Sequence, residues 1–156
     1  MSLKFRHANI EDAELLFNWV NDPIVRAASF YNNLISWTDH INWFENKLED
    51  EKTQILIFEF EGVPAGQIRI ENKETAIIGV SIDKNFRGKK LAVEMLRNAC
   101  TEFWKIENKP LFAYIKKENL ASIKAFKNAG FSYLMDDKIN NSDCVIYKAN
   151  NITINN

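Results

Sequence analysis

Apolar residues fall along this chain in blocks whose spacing alternates between two residues and three to four. Leu3 to His7 reads as a short first strand. Asn9 then suits a helix cap, because its side-chain oxygen can accept from an orphan amide of the first turn. Glu11 and Asp12 favour the positive end of the same helix. Ala13, Leu16, Phe17 and Val20 form one apolar stripe at i, i+3, i+4, i+7, so the helix runs through Asn21. Asp22-Pro23 ends or breaks it, since a residue before proline avoids the α region. Ser36 caps a second helix, with Asp39 three residues on as a variant of the capping box, and Trp37, Ile41, Phe44 and Leu48 repeat at helical spacing.

From Gln54 to Glu61 the pattern becomes a strand rich in Ile and Phe. Gly62-Val63-Pro64 reads as a turn and Ala65 to Glu71 as the return strand of a hairpin. Asn72 to Glu74 turns the chain again, and Ala76 to Ile82 is a third, mostly apolar strand. Leu91, Met95, Ala99 and Phe103, with Leu96 alongside, predict a helix to about Lys105. Leu111 to Ile115 is a strand and Asn119 to Asn128 a shorter helix, closed by Ala129-Gly130-Phe131. Phe131 to Met135 and Cys144 to Lys148 complete the pattern. The order β-α-α-β-β-β-α-β-α-β-β predicts an α/β fold (α+β mixed), with a mixed sheet and helices on both faces.

Composition adds bounds. The 156 residues suit one domain, read as 1–149 with a polar, fraying tail at 150–156. A net charge of -1 argues against a dedicated nucleic-acid binder. Cys100 and Cys144 fit no metal spacing and read as reduced core residues, and with only two separated histidines no metal site is implied. The opening residues lack a signal-peptide core and no run reaches the length of a membrane span, so a cytoplasmic protein is expected, with no membrane partner. Asn151-Ile152-Thr153 then matches a glycosylation sequon by chance, and Met1-Ser2-Leu3 leaves room for a remnant of an expression tag.

The chemistry concentrates after the third strand. Asn85-Phe86-Arg87-Gly88-Lys89-Lys90-Leu91-Ala92 places a short basic loop directly before a helix. The first amides of a helix lack internal partners and carry partial positive charge, so a phosphate suits them. Gly88 admits an anion to the backbone and Ala92 keeps the first turn slim. The loop is neither a Walker loop nor a dinucleotide fingerprint.

At these residues the chain resembles the GNAT superfamily of N-acetyltransferases. That family's loop reads [Q/R]-x-x-G-x-[G/A], and Arg87-Gly88-Lys89-Lys90-Leu91-Ala92 follows it except at the fourth position, usually glycine, where Lys90 stands, a departure that is tolerable if Lys90 takes ordinary helical angles. The family's second segment, N-x-x-S-x-x-x-[Y/F]-x-x-x-G-F, is matched by Asn119, Ser122, Phe126, Gly130 and Phe131. The resemblance spans residues 3–148 and implies a mixed, mostly antiparallel sheet of about seven strands. It also implies acetyl-CoA as cosubstrate: backbone groups of Val80 and Ile82 along the pantetheine arm, Arg87, Gly88, Lys89, Lys90, Leu91 and Ala92 around the pyrophosphate, Asn119 at the arm and Phe126 near the thioester.

Many members carry a tyrosine acid where Phe126 stands, so another group must protonate the thiolate or it leaves unaided. His40 is the best candidate base by its ordinary pKa, and Ser81 can order a water. The early segments, among them Ser36-Trp37-Thr38-Asp39-His40 and Gly66-Gln67-Ile68-Arg69, resemble the branch that acetylates nucleotide-linked amino sugars. Arg26 and Arg69 would then meet a nucleotide diphosphate and Trp37 or Trp43 stack on a ring. Two alternatives stand beside this acceptor: a protein N-terminus or other small amine, and a coenzyme A-binding module without turnover. The expected partner is a small-molecule amine, and a homodimer is compatible with the sequence.

Overall fold

The computed structural model describes residues 2–151. Met1, and most of the predicted tail and sequon (152–156), lie outside the described residues. Seven strands form one sheet in the order β1-β2-β3-β4-β5-β7-β6. The strands are β1 (Leu3–His7), β2 (Thr53–Phe60), β3 (Val63–Asn72), β4 (Ala76–Ile82), β5 (Leu111–Lys116), β6 (Ser132–Ile139) and β7 (Ser142–Ala149). Every pairing is antiparallel except β4 with β5. The predicted mixed sheet of about seven strands with helices on both faces is observed.

Alternation along the strands builds two cores. Leu56, Phe58, Ile68, Ile70, Ile78, Ala113 and Ile115 point to one face, where α4 (Leu91–Trp104) covers them with Met95, Leu96, Ala99 and Phe103. Phe126 of α5 (Leu120–Asn128) joins the same core. Ile55 and Ile57 face the other way, toward Ala13, Leu16 and Trp19 of α1 (Ala13–Val20) and Phe44 of α3 (Trp37–Glu49). The residues left over on that second face are polar, and they become the floor of a cleft described below.

Several local expectations are corrected. Asn9 does cap, with a full capping box through Asp12, but the first turn is 3-10 and α1 proper begins at Ala13. Asp22-Pro23 does end α1, yet it also starts α2 (Pro23–Ala28): the Asp22 carboxylate accepts from the amides of Ile24 and Val25, and proline sits where no donor is needed. The first hairpin turns on Glu61-Gly62, both at positive φ, with Val63 already in β3 and Ala65 as the extra residue of a bulge. The last hairpin is longer than predicted because Asn140 and Asn141 both adopt positive φ, allowing β6 and β7 to pair from Ile139↔Ser142 outward. Trp37 is not part of the buried stripe of α3; His40 takes its place beside Phe44. Cys100 and Cys144 are free and buried, and desolvation raises both thiols, that of Cys100 to about 12.

Candidate active site

β4 and β5 pair only at Ala76↔Leu111 and Ile77↔Phe112. Beyond that they part, because each is held by its other neighbour: β3 pairs with β4 as far as Gly66↔Ile82, and β7 pairs with β5 as far as Lys116↔Cys144. Gly66 lets β3 lie close, since a Cβ there would stand 2.6 Å from the Ser81 carbonyl oxygen and 2.9 Å from Met95 Cε. The result is a V-shaped gap in the sheet, within a cleft of about 1920 Å³ that runs from the start of α4 to α2 and α3.

The register fixes which backbone groups face the gap. Asp83 donates to Ala65 O at 2.7 Å, continuing the β3–β4 register, so Ser81 and Gly79 also turn their amides and carbonyls toward β3. The intervening residues, Ile78, Val80 and Ile82, therefore present theirs to the gap. An extended polar arm laid there would be paired as an added strand.

The loop beyond β4 is anchored from the far face. Asp83 accepts from the indole of Trp19 at 2.8 Å and from the Asn85 amide at 2.8 Å. Arg87 meets Asp22 at 3.0 Å. Burial alone would raise the Asp22 carboxyl, but the hydrogen bond from Arg87 and the amides of Ile24 and Val25 outweigh it and hold it low. Gly88 has φ 78 and open space around its missing Cβ. Leu91 packs its side chain into the core while its amide opens α4. No side chain caps this helix, so its first amides, including that of Ala92, are free to meet an anion. Lys89 is turned aside, with Nζ 5.5 Å over the Phe86 ring.

Lys90 corrects the sequence reading: it is not helical but left-handed, at φ 61, ψ 25. A lysine thus keeps the backbone geometry that glycine gives elsewhere, at a cost of about 1 kcal/mol. Lys90→Gly is expected to raise stability by up to about 1 kcal/mol, or about 2–4 °C in Tm for a chain of this size. Thermal unfolding of the two proteins measures it, and a lower Tm would show that the lysine side chain contributes more than its backbone costs.

At the opposite lip of the gap, Asn119 caps α5 through Ser122 N at 3.2 Å, and Phe126 is buried edge-on to Phe131 while lining the cleft.

On the α1–α3 face the floor carries two polar rows. Arg69 and Gly79 are register partners, with Tyr114 across the gap; Gln67 and Ser81 are partners, with Lys116 across the gap. Gln67 Nε2 donates to Ser81 Oγ at 3.1 Å, leaving the serine hydroxyl proton free to point elsewhere. Arg69 lies over the Trp43 ring at 5.1 Å and meets Glu71 at 3.0 Å. Its side chain is 39% accessible and lines the cleft, and desolvation lowers its pKa against the opposing charge of Glu71. Lys116 is 7% exposed, with Nζ donating to Ala27 O at 2.8 Å. No carboxylate lies within ion-pair distance of Lys116 among the described residues. The sequence reading ended β5 at Ile115 and missed Lys116; its signal was the two-residue alternation that places it with Tyr114, opposite Ala113 and Ile115.

Three expected acceptor-side residues are placed differently. Arg26 donates to Val20 O (2.6 Å), Tyr31 O (2.7 Å), Asn33 O (3.3 Å) and Ser29 Oγ (3.1 Å). Four of its five donors are thus spent on α1, α2 and the following loop, and desolvation lowers its pKa. It braces the wall rather than reaching into the cleft for a diphosphate. Trp37 is 45% exposed, edge-on to Phe17, and does not line the cleft; Trp43 does. His40 is 3% exposed, with its Nε2 2.8 Å from Ala13 O and its ring near-parallel to Phe44. A carbonyl only accepts, so Nε2 carries the proton. Desolvation lowers the imidazole's pKa despite that bond, and the neutral ring clamps α3 to α1. The open base expected at this position is corrected to a largely enclosed one.

Among the described residues there is no cluster of His, Cys, Asp or Glu suited to a metal ion, and no helix is long and apolar enough to cross a membrane.

The acetyltransferase (GNAT) domain family matches residues 2–132. No curated protein matches the chain by sequence. Among solved structures, AAC(6')-Ib in complex with ribostamycin and coenzyme A has a TM-score of 0.86 at 15% identity, with 99% of this chain and 97% of that chain covered. Spermidine N-acetyltransferase from Vibrio cholerae, in complex with CoA and spermine, has a TM-score of 0.87 at 16% identity, with 99% and 98% covered. A domain from Methanocaldococcus jannaschii has a TM-score of 0.82 at 21% identity, with 96% and 99% covered. At these identities the structures speak for the fold.

Proposed function

The chain belongs to the GNAT acetyltransferase family, and from that premise we propose that it carries the acetyl group of acetyl-CoA to a primary amine on an acceptor that also bears negative charge, a nucleotide-linked amino sugar. The pyrophosphate would lie on the amides from Gly88 to Ala92, with Arg87 and Lys90 adding charge. The pantetheine arm would pair with the backbone of Val80 and Ile82 and meet the free amide nitrogen of Asn119, with Phe126 forming the wall near the thioester. The neutral amine attacks the thioester carbonyl directly in a ternary complex. The Val80 amide, aimed into the gap, suits the tetrahedral oxyanion, and Ser81 suits a bound water.

The observation that carries the acceptor class is Lys116. A buried ammonium held by one carbonyl keeps unspent donors and unneutralised charge, and in a low-dielectric cleft this calls for an anion. Arg69 adds a second cation on the same floor, stacked on Trp43 as a surface for a planar ring. A polycation would meet repulsion there. Spermine and ribostamycin, which occupy two of the similar structures, are acceptors of that kind, so this cleft favours a different one.

Release of thiol from acetyl-CoA, measured with nucleotide-linked amino sugars, polyamines, aminoglycosides and N-terminal peptides, tests the reading. Turnover is expected with the nucleotide sugars, and Lys116→Met is expected to raise the acceptor KM by about tenfold, the loss of one buried charge-assisted contact. Turnover confined to peptides or polyamines overturns the sugar acceptor. Coenzyme binding without turnover on any acceptor makes the chain a binding module.

A further inference from the structure

Phe126 has no proton to give, but two phenols line the cleft, Tyr31 on its exposed rim and Tyr114 on its half-buried floor. We infer that Tyr114 is the acid that protonates the departing thiolate of coenzyme A, a role that rests on the acetyltransferase reading above.

Placement makes the case. β4 and β5 last pair at Ile77↔Phe112, so two residues further along, Tyr114 stands across the opening gap from Gly79. Its neighbours Ala113 and Ile115 belong to the α4-side core, which puts Tyr114 on the other face, where it is half-buried and lines the cleft. A pyrophosphate on Gly88 to Ala92 fixes the direction of the arm: it must run back along β4, from Ile82 past Val80, toward the closed end of the V. The sulfur then arrives near Gly79, opposite Tyr114, at the level where the gap connects the two faces of the sheet.

The other groups on this floor are less suited. The Ser81 hydroxyl is a much weaker acid and accepts from Gln67. His40 is neutral and its only N–H is bonded to Ala13 O. Lys116 is bound to Ala27 O and lies one row further toward the open end of the gap. Tyr31 stands on the exposed rim. Among the described residues no hydrogen bond engages the Tyr114 hydroxyl, so its proton is available.

The step balances without a further reagent. The amine nitrogen bonds to the carbonyl carbon and the C–S bond breaks. Tyr114 Oη gives its proton to sulfur, and the phenolate takes the proton that the nitrogen sheds, directly or through one water. Amide and thiol form, and the tyrosine is restored.

The test compares wild type with Tyr114→Phe, which removes one oxygen and keeps the ring. With the acceptor that wild type turns over, kcat is expected to fall at least about 100-fold, the usual range for a lost general acid. KM for both substrates, and coenzyme A affinity by calorimetry, should stay within about threefold. A fall in kcat smaller than tenfold overturns the assignment and leaves the acetyltransferase reading intact. Lost coenzyme affinity also overturns it, since the residue would then act in binding. A wild-type protein inactive on every acceptor overturns the acetyltransferase reading itself, and this role with it.

Discussion

Gly88→Glu is expected to weaken acetyl-CoA binding at least about 100-fold while the protein stays folded. Two effects add. At φ 78 a residue with a Cβ pays roughly 1 kcal/mol, so the loop is pressed to leave the shape that aims its amides outward. The new carboxylate would also sit beside a pyrophosphate; one like-charge pair about 5 Å apart at an effective dielectric of about 20 costs about 3 kcal/mol, enough by itself for a factor of about 100. The fold should tolerate the change, because nothing lies within 4 Å of the added Cβ. Gly88→Ala separates the two effects: it adds the backbone strain without the charge, and its loss should stay near tenfold. Calorimetric titration with coenzyme A reads both variants. Equal affinity for Gly88→Glu and wild type would remove the pyrophosphate from this loop.

The loop and helix start proposed for the coenzyme were legible as structure because their determinants are local. A strand ending at Ile82, a glycine, and apolar residues every three to four from Leu91 lie in one short stretch, and helix-end physics needs no distant partner. Even there, the left-handed Lys90 escaped a reading by residue type: lysine gives no sign of positive φ, and the hint was the glycine common at that place in the family. The short α2 was missed although Asp22 and Pro23 are cap and first-turn residues, because a proline after a helix reads first as its end. The longer last hairpin followed from Asn140-Asn141, a pair able to adopt positive φ twice in succession.

The proposed acceptor side was poorly legible for a different reason: the contacts of each residue there are made with partners distant in sequence. His40 is defined by a carbonyl 27 positions away, and Lys116 by one 89 positions away. Trp37 and Trp43 are indistinguishable by composition, and only the rotation of α3 decides which faces the cleft. The strand alternation that put Tyr114 and Lys116 on one face was readable, but the gap beside them comes from β7 pairing with β5 where β5 leaves β4, and β7 lies at the far end of the sequence.

Arg26 gives the second large effect, and its sign separates a brace from a ligand. Arg26→Ala removes four hydrogen bonds from one guanidinium, three of them to carbonyls of residues 20–33. Charge-assisted bonds contribute roughly 1.5–3 kcal/mol each when partly buried. The freed carbonyls of Tyr31 and Asn33 lie at the surface and recover water, so a net loss of about 2–4 kcal/mol is expected, visible as a lower urea midpoint with an unchanged slope. Residues 29–35 keep their tie from Asn21 to Ile35 and from Asn140 to Phe30 O, so the wall should loosen rather than detach. A loosened wall penalises every acceptor alike: KM should rise by a similar factor for amines with and without phosphate, and coenzyme affinity should hold. An arginine that bound a diphosphate would do the reverse, raising KM for phosphorylated acceptors alone and leaving stability near wild type. Arg26→Lys sharpens the contrast, because one ammonium keeps the charge but cannot span four acceptors in a planar fork. It should therefore recover little of the lost stability, whereas a residue acting through charge alone would recover most of the lost acceptor binding.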